Sequence, residues 1–419
     1  MTRFDWSEEA TREAALARPR GRDDPALLDA VRAIVGDVRD RGWDALVEQS
    51  LRIDGAAPCP LPVAPAANLA RATLAPEAIA AIELAARNIT TFHRQTRPRD
   101  VEVIPYPGLS VAKQWRPLGR AGLYIPGGKA PLFSTLLMLA IPARVAGVGN
   151  LVVVTPPRPD GALDPAMALA AELAGIETIW TVGGAQAIAA LAFGAGDIAA
   201  VDRICGPGNA WVSAAKAIVA AIPGGPGIDL PAGPSELIVI ADDSADPATV
   251  AADLLSQAEH DRDAQVILVT PSASLIESVG AALAAQAALI GGTFAPARFV
   301  LCADLDQAVT IANRYGPEHL ALATDDAPDL VARITCAGAI FVGHRAAESF
   351  GDYLAGSSHV LPTDGAARFT GGVSTLTFMK AITVQRISRR AAAALAAPAA
   401  ILARLEGLEA HARAAEARA

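Results

Sequence analysis

Asn150-Leu-Val-Val-Val-Thr-Pro-Pro157 is the stretch from which the fold can be read. Its four central residues are continuously apolar, the mark of a strand covered on both faces inside a parallel sheet. A stretch of helical length and composition follows, Asp164–Gly175 (DPAMALAAELAG). The alternation continues outward through IETIWTVGG (176–184), VDRICGPG (201–208), SELIVIAD (235–242), AQVILVTP (264–271), ARFVLCAD (297–304), HLALATDD (319–326) and GAIFVG (338–343). Short apolar strands separated by helices such as ASLIESVGAALAAQ (273–286) predict parallel α/β units. Leu151–Pro156 (LVVVTP) is echoed by Val266–Pro271 (VILVTP), which suggests two similar Rossmann-like halves.

The expected class is therefore α/β, with two Rossmann-like parallel-sheet domains, a helical N-terminal region and a small helical C-terminal tail. The expected boundaries are a helical arm at 1–20, a first Rossmann-like domain at 21–122 plus 236–372, a second at 123–235, and the tail at 373–419. Apolar periodicity in DPALLDAVRAIVGDVRDRGWDALVEQS and PEAIAAIELAARNITTFHRQ predicts the N-terminal helices. The Ala- and Arg-rich tail has an apolar face that a second subunit would cover.

The chain has 419 residues, 52% of them apolar, which is enough for more than one core. Its net charge of −9, with 19% charged residues, argues against a nucleic-acid surface, which needs clustered Lys and Arg. The first twenty residues lack the apolar run of a signal peptide, and the most apolar stretch, around 136–154, is broken by Pro142, Arg144 and glycines. The expectation is a cytoplasmic protein with no membrane segment. Cys59, Cys205, Cys302 and Cys336 lie far apart, without the spacing of a disulfide framework or a thiolate metal clamp.

Six histidines are the scarce chemical resource. In PATVAADLLSQAEHDRD, Pro247 suits the first helical turn after Asp246, so Gln257 and His260 fall three apart on one helical face, a spacing at which two side chains can ligate one ion. Such a pair near a helix end is usually solvated or capping, and an amide is an unusual zinc ligand. Tyr315-Gly316-Pro317-Glu318-His319 joins a helix to a strand. There a histidine can take a proton from an alcohol beside a carboxylate, and a helix-terminal cap explains the same residues equally well. Asp352 and His359 stand in a Gly- and Ser-rich loop. Glu406 and His411 are five apart, on different helical faces, so one can ligate while the other contacts substrate. Gly127-Gly128, Gly183-Gly184 and Gly206-Pro207-Gly208-Asn209 can approach a phosphate or serve as plain turns between strand and helix.

The blocks GLYIPGG, GGAQAIAALAFG, GPGNAWVSAAK, GIDLPAGPSE, LLSQAEHD, GPEHLAL, GDYLAGSSHVLPT and EGLEAH together resemble the histidinol dehydrogenase family over nearly the whole chain. The resemblance implies NAD-dependent oxidation of L-histidinol through its aldehyde to L-histidine. It implies one zinc per subunit, held by Gln257, His260, Asp352 and His411. It makes His319 the general base and Glu318 the activator of water, adds Ser235, His359 and Glu406 as substrate contacts, and gives NAD to Tyr124, Gln186 and Asn209. It also implies a homodimer whose subunits share active sites. PLFSTLLM stands where the family has an aromatic-Pro-Ser-Ser run, and Trp211 where it has a smaller aromatic. A sister dehydrogenase acting on a sulfonated diol would need added Arg or Lys in the substrate shell. A zinc hydrolase would leave the three glycine turns without a use.

Overall fold

The computed structural model describes residues 1–19, 24–127, 131–230 and 233–419; Gly128 of the predicted Gly127-Gly128 turn lies outside them. The chain opens with β1 (Thr2–Asp5) and α1 (Glu9–Ala15), so the expected all-helical arm starts with a strand. Only Phe4 of β1 is even partly covered, and an edge strand of that kind shows no apolar run in the sequence. Next come α2 (Pro25–Arg41), α3 (Trp43–Ile53), the short β2 (Cys59–Pro62), α4 (Val63–Thr73), α5 (Pro76–Thr96), and a ribbon of β3 (Val101–Tyr106) and β4 (Leu109–Pro117).

The first α/β half follows as β5 (Arg120–Tyr124), α6 (Phe133–Ala146), β6 (Asn150–Thr155), α7 (Pro165–Leu173), β7 (Thr178–Thr181), α8 (Gly184–Phe193), β8 (Arg203–Cys205), α9 (Ala210–Ala220) and β9 (Gly227–Ile228). The second is β10 (Glu236–Ala241), α10 (Pro247–Ala258), β11 (Gln265–Thr270), α11 (Ala273–Ile290), β12 (Ala297–Leu301), α12 (Leu305–Tyr315), β13 (His319–Ala323), α13 (Ala327–Val331) and β14 (Ala339–Val342). After α14 (Glu348–Tyr353), the chain ends in β15 (Met379–Ile387), α15 (Arg389–Leu405) and α16 (Glu409–Glu416).

The first sheet has the order β2-β7-β6-β5-β8-β9 and the second β1-β12-β11-β10-β13-β14. All neighbours in both are parallel except β2 on β7. Apart from the added edge strands β2 and β1, each half runs third, second, first, fourth, fifth in chain order, the doubly wound arrangement. The echoed strands β6 and β11 hold the same second position in their sheets, so the sequence repeat coincides with a repeat of topology.

Helix starts are written locally. Asp24, Asp164 and Asp246 each precede a first-turn proline, and each carboxylate accepts from the backbone N–H two residues on, at 2.9, 2.9 and 3.2 Å. Packing is less local. Val31, Val35 and Leu46 of α2 and α3 join Leu191 and Val219 on one face of the first sheet, while Ala67, Ile82 and Ile89 of α4 and α5 join Leu136 and Val153 on the other. Residues 25–96 therefore pack on the first half, whereas the sequence reading grouped them with 236–372.

The tail needs the same kind of correction. Residues 379–387 are a strand paired along its length with β4, antiparallel, and Lys380 and Arg386 on its exposed surface break up the apolar signal. α11 is long and apolar enough to cross a membrane by length and composition alone; in the fold it packs along α10, β11 and β12.

Candidate active site

Gly316, in the left-handed region at φ 63°, ends α12 and turns the chain so that Glu318 and His319 enter β13 at its amino end. His319 pairs in register with Leu237 of β10 and Ala339 of β14, which fixes its backbone between those two strands of the second sheet. Its ring stacks on Phe341 at 5.8 Å between centroids and is only 4% exposed. Glu318 is buried beside it, and its Oε2 accepts the Glu236 backbone N–H at 2.9 Å. The Glu236 side chain in turn accepts from Arg18 Nε and Nη2, at 2.5 and 3.1 Å.

Two further acids close on His319 from α14, where Glu348 and Asp352 lie one helical turn apart. Nδ1 of His319 is 3.3 Å from Glu348 Oε1 and 3.6 Å from Glu318 Oε2, and Nε2 is 3.7 Å from Asp352 Oδ1. One donor atom from each of His319, Glu348 and Asp352 lies within 4.8 Å of the others. Burial pushes Glu318 and Glu348 well above the usual carboxylate range and Asp352 up to about 6, and it pulls His319 down to about 3. Neighbouring carboxyl groups raise Glu318 and Glu348 further. Such a cluster resists charge until a cation, a metal or an ammonium group, enters it.

Gln257 lies in the last turn of α10 and is completely buried; His260 stands in the turn just beyond the helix, which ends at Ala258 rather than carrying both residues. α10 packs against α14, which brings the end of α10 and the turn carrying His260 to the side of the second half where Asp352 lies. Among the described residues, neither amide atom of Gln257 nor Asp352 Oδ1 has a hydrogen-bond partner. A buried amide, a neighbouring imidazole and a carboxylate with bonding capacity unspent fit a zinc ion. The tighter His319–Glu348–Asp352 grouping shares only Asp352 with that set. We favour the set with Gln257, because ligation would explain its orphaned amide and leave His319 able to accept protons.

His359 is held differently from His319. Its Nδ1 faces the Asp352 carbonyl at 3.1 Å and its Nε2 the Thr135 hydroxyl at 3.0 Å, so both ring nitrogens have protein partners. Ser235 precedes β10 and is partly exposed. Glu406, the C-cap of α15, and His411, in α16, are exposed; α15 and α16 pack mainly on each other. The single chain does not bring them to the His319 cluster.

The predicted nucleotide contacts gather at the opposite end of the other sheet. Tyr124 ends β5, and its buried hydroxyl accepts the Gly184 N–H at 3.3 Å. Asp54, the C-cap of α3, accepts from Gly183 N at 2.9 Å and Gln186 Nε2 at 3.1 Å, while Gln186 Oε1 remains unpartnered among the described residues. Asn209 caps α9 by accepting from Val212 N at 3.1 Å. At Gly206 φ is +127°, and a Cβ there would come 2.0 Å from the Tyr124 carbonyl oxygen, so only glycine fits. The Gly206 peptide is clamped by Asp229, which accepts its N–H at 2.6 Å, and by Lys216, which donates to its carbonyl at 2.9 Å; Lys216 and Asp229 also pair with each other. A cavity of about 140 Å³, lined by Pro126, Gly127, Thr155, Arg158 and Thr181, opens at the same carboxyl edge.

Sequence reasoning missed Glu348, Glu236 and Asp54. Glu348 carried a usable signal, an acid four residues before Asp352 in ESFGDY. Asp54 carried none, since its partners are about 130 residues away.

The family model described as histidinol dehydrogenase matches residues 17–419. A histidinol dehydrogenase of Xanthomonas euvesicatoria pv. vesicatoria is 45% identical, over 99% of this chain and 98% of its own length. One from Idiomarina loihiensis is 43% identical, over 95% and 92%. The crystal structure of histidinol dehydrogenase from Elizabethkingia anophelis superposes with a TM-score of 0.93 at 36% identity, covering 100% of this chain and 98% of that one. The chain belongs to the histidinol dehydrogenase family.

Proposed function

We propose that the protein oxidises L-histidinol to L-histidine through the aldehyde, passing two hydrides to two successive NAD molecules. The observation that carries this reading is the buried Glu318-His319 pair at the amino end of β13, in a chain that matches the family from end to end. His319, neutral when buried, accepts the hydroxyl proton as hydride leaves the carbon. The aldehyde must then take up water before a second hydride can leave. Glu318, anchored on one oxygen by the Glu236 amide, is placed to draw the proton from that water.

Zinc would be held by Gln257, His260, Asp352 and His411, and when bound it supplies a positive anchor for the substrate's amine and imidazole. Ser235, His359 and Glu406 complete the substrate shell in this reading. Tyr124, Gln186 and Asn209 serve NAD, the hydride acceptor.

Glu406 and His411 reach the pocket if they come from a second copy of the chain. Ile401, Leu402 and Leu405 are 60%, 64% and 79% exposed on α15, an apolar face that a homodimer would cover. We assign the protein to the cytoplasm, in keeping with its four free cysteines.

The test is to supply zinc-loaded protein with NAD and either L-histidinol or a sulfonated diol. NADH is expected from histidinol alone. NADH from the diol alone would replace this reading with the sister activity.

A further inference from the structure

We infer that Glu348 is the positioning residue of the base, its carboxylate selecting the His319 tautomer that carries hydrogen on Nδ1 and leaves Nε2 free to accept the substrate's proton. The inference deepens the proposed function and rests on His319 being the base.

The backbone of His319 is fixed by its register between β10 and β14, and Phe341 covers one ring face. What remains open is which nitrogen bears the proton. Among the described residues neither ring nitrogen has a hydrogen-bond partner, so backbone contacts do not settle the tautomer. In His359 they do, through the Asp352 carbonyl and Thr135.

Three acids surround the ring, and they are not equivalent. The Glu318 oxygen nearest Nδ1 is 3.6 Å away and already accepts the Glu236 amide. Asp352 lies on the other side of the ring, 3.7 Å from Nε2, toward the proposed zinc ligands. Glu348 is 2% exposed, has neither oxygen engaged in a hydrogen bond among the described residues, and stands 3.3 Å from Nδ1. The contact is already within hydrogen-bond distance, and a small rotation of the carboxylate that aligns it with Nδ1–H makes it a charge-assisted hydrogen bond. Catalytic hydrogen bonds commonly tighten in this way when substrate binds. A cation entering the pocket brings out the ionised form of Glu348, which can only accept, so it holds hydrogen on Nδ1 and directs the Nε2 lone pair toward the side where Asp352 lies. As the base becomes imidazolium, the same carboxylate faces the new charge.

The experiment pairs kinetics with ¹⁵N NMR of histidine-labelled, zinc-loaded protein, the His319 signals being assigned by their absence in His319→Asn. In the unsubstituted protein the shifts should report hydrogen on Nδ1; hydrogen on Nε2 would overturn the inference whatever the variants do. Glu348→Gln keeps the volume but offers an amide that can donate to Nδ1, the wrong sense. It should lower kcat by about 10²-fold or more, leave KM for histidinol and zinc content near those of the unsubstituted protein, and move the ¹⁵N pattern away from the Nδ1–H tautomer. Unchanged kcat, loss of zinc, or a fall in kcat without a tautomer change would each refute the positioning role. Should His319→Asn itself retain full turnover, it is the base assignment that fails, and that result is read independently of Glu348.

Discussion

The sheet built around β5 and the sheet built around β10 share one strand order, yet their chemistry-bearing residues lie at opposite ends. In the first, Tyr124, the Gly183-Gly184 turn and Gly206 stand at the carboxyl ends of β5, β7 and β8. In the second, Glu318 and His319 stand at the amino end of β13, next to Glu236 at the amino end of β10. The carboxyl edge of a doubly wound sheet offers backbone N–H groups and close-approach glycines at its switch point as a consequence of topology. At the amino edge the Glu236 N–H is spent on the Glu318 carboxylate. Function there depends on buried side chains, and α14, arriving after the last strand of that sheet, supplies two of them.

Removing the proposed base is the strongest test of that division. His319→Asn is expected to slow hydride transfer by about 10²–10⁴-fold while NAD affinity, read by calorimetric titration, and zinc content stay unchanged. A parallel loss of NAD affinity would mean that the two edges are not separate in function.

The reciprocal test is smaller and acts on backbone. Gly206→Ala puts a Cβ against the Tyr124 carbonyl at a φ that favours glycine. It should lower unfolding stability by roughly 2–4 kcal/mol and weaken NAD binding, with zinc content untouched. An alanine variant with full stability and NAD affinity would show that the Gly206 turn is not a required close approach.

The same contrast governs what the sequence reveals. Interior strands such as β6, β10 and β11 are buried on both faces, so their runs of Val, Ile and Leu are plain to see. The repeated Thr-Pro ending of β6 and β11 even marks the duplicated topology. β15 is hidden because Lys380, Thr383, Gln385 and Arg386 interrupt its apolar residues and because its partner β4 lies some 270 residues earlier. The helices at 25–96 are legible as helices, but their choice of sheet depends on shared core packing, such as the cluster that holds both Leu46 and Leu191, which periodicity does not encode. In the site, Glu318 and His319 are adjacent in sequence and therefore visible. Gln257, Asp352 and His411 emerge as a set only through the family resemblance, since three separated segments, and in our proposal two subunits, must meet to form it.

The central claim is that one pocket performs both oxidations, with His319 serving the alcohol and Glu318 the water that the aldehyde needs. It is tested most directly by counting NADH formed per L-histidinol consumed by the purified, zinc-loaded protein, with the products identified. The account predicts two NADH per histidinol, with L-histidine as product and no accumulating aldehyde. One NADH per histidinol, with the aldehyde as the end product, would contradict it.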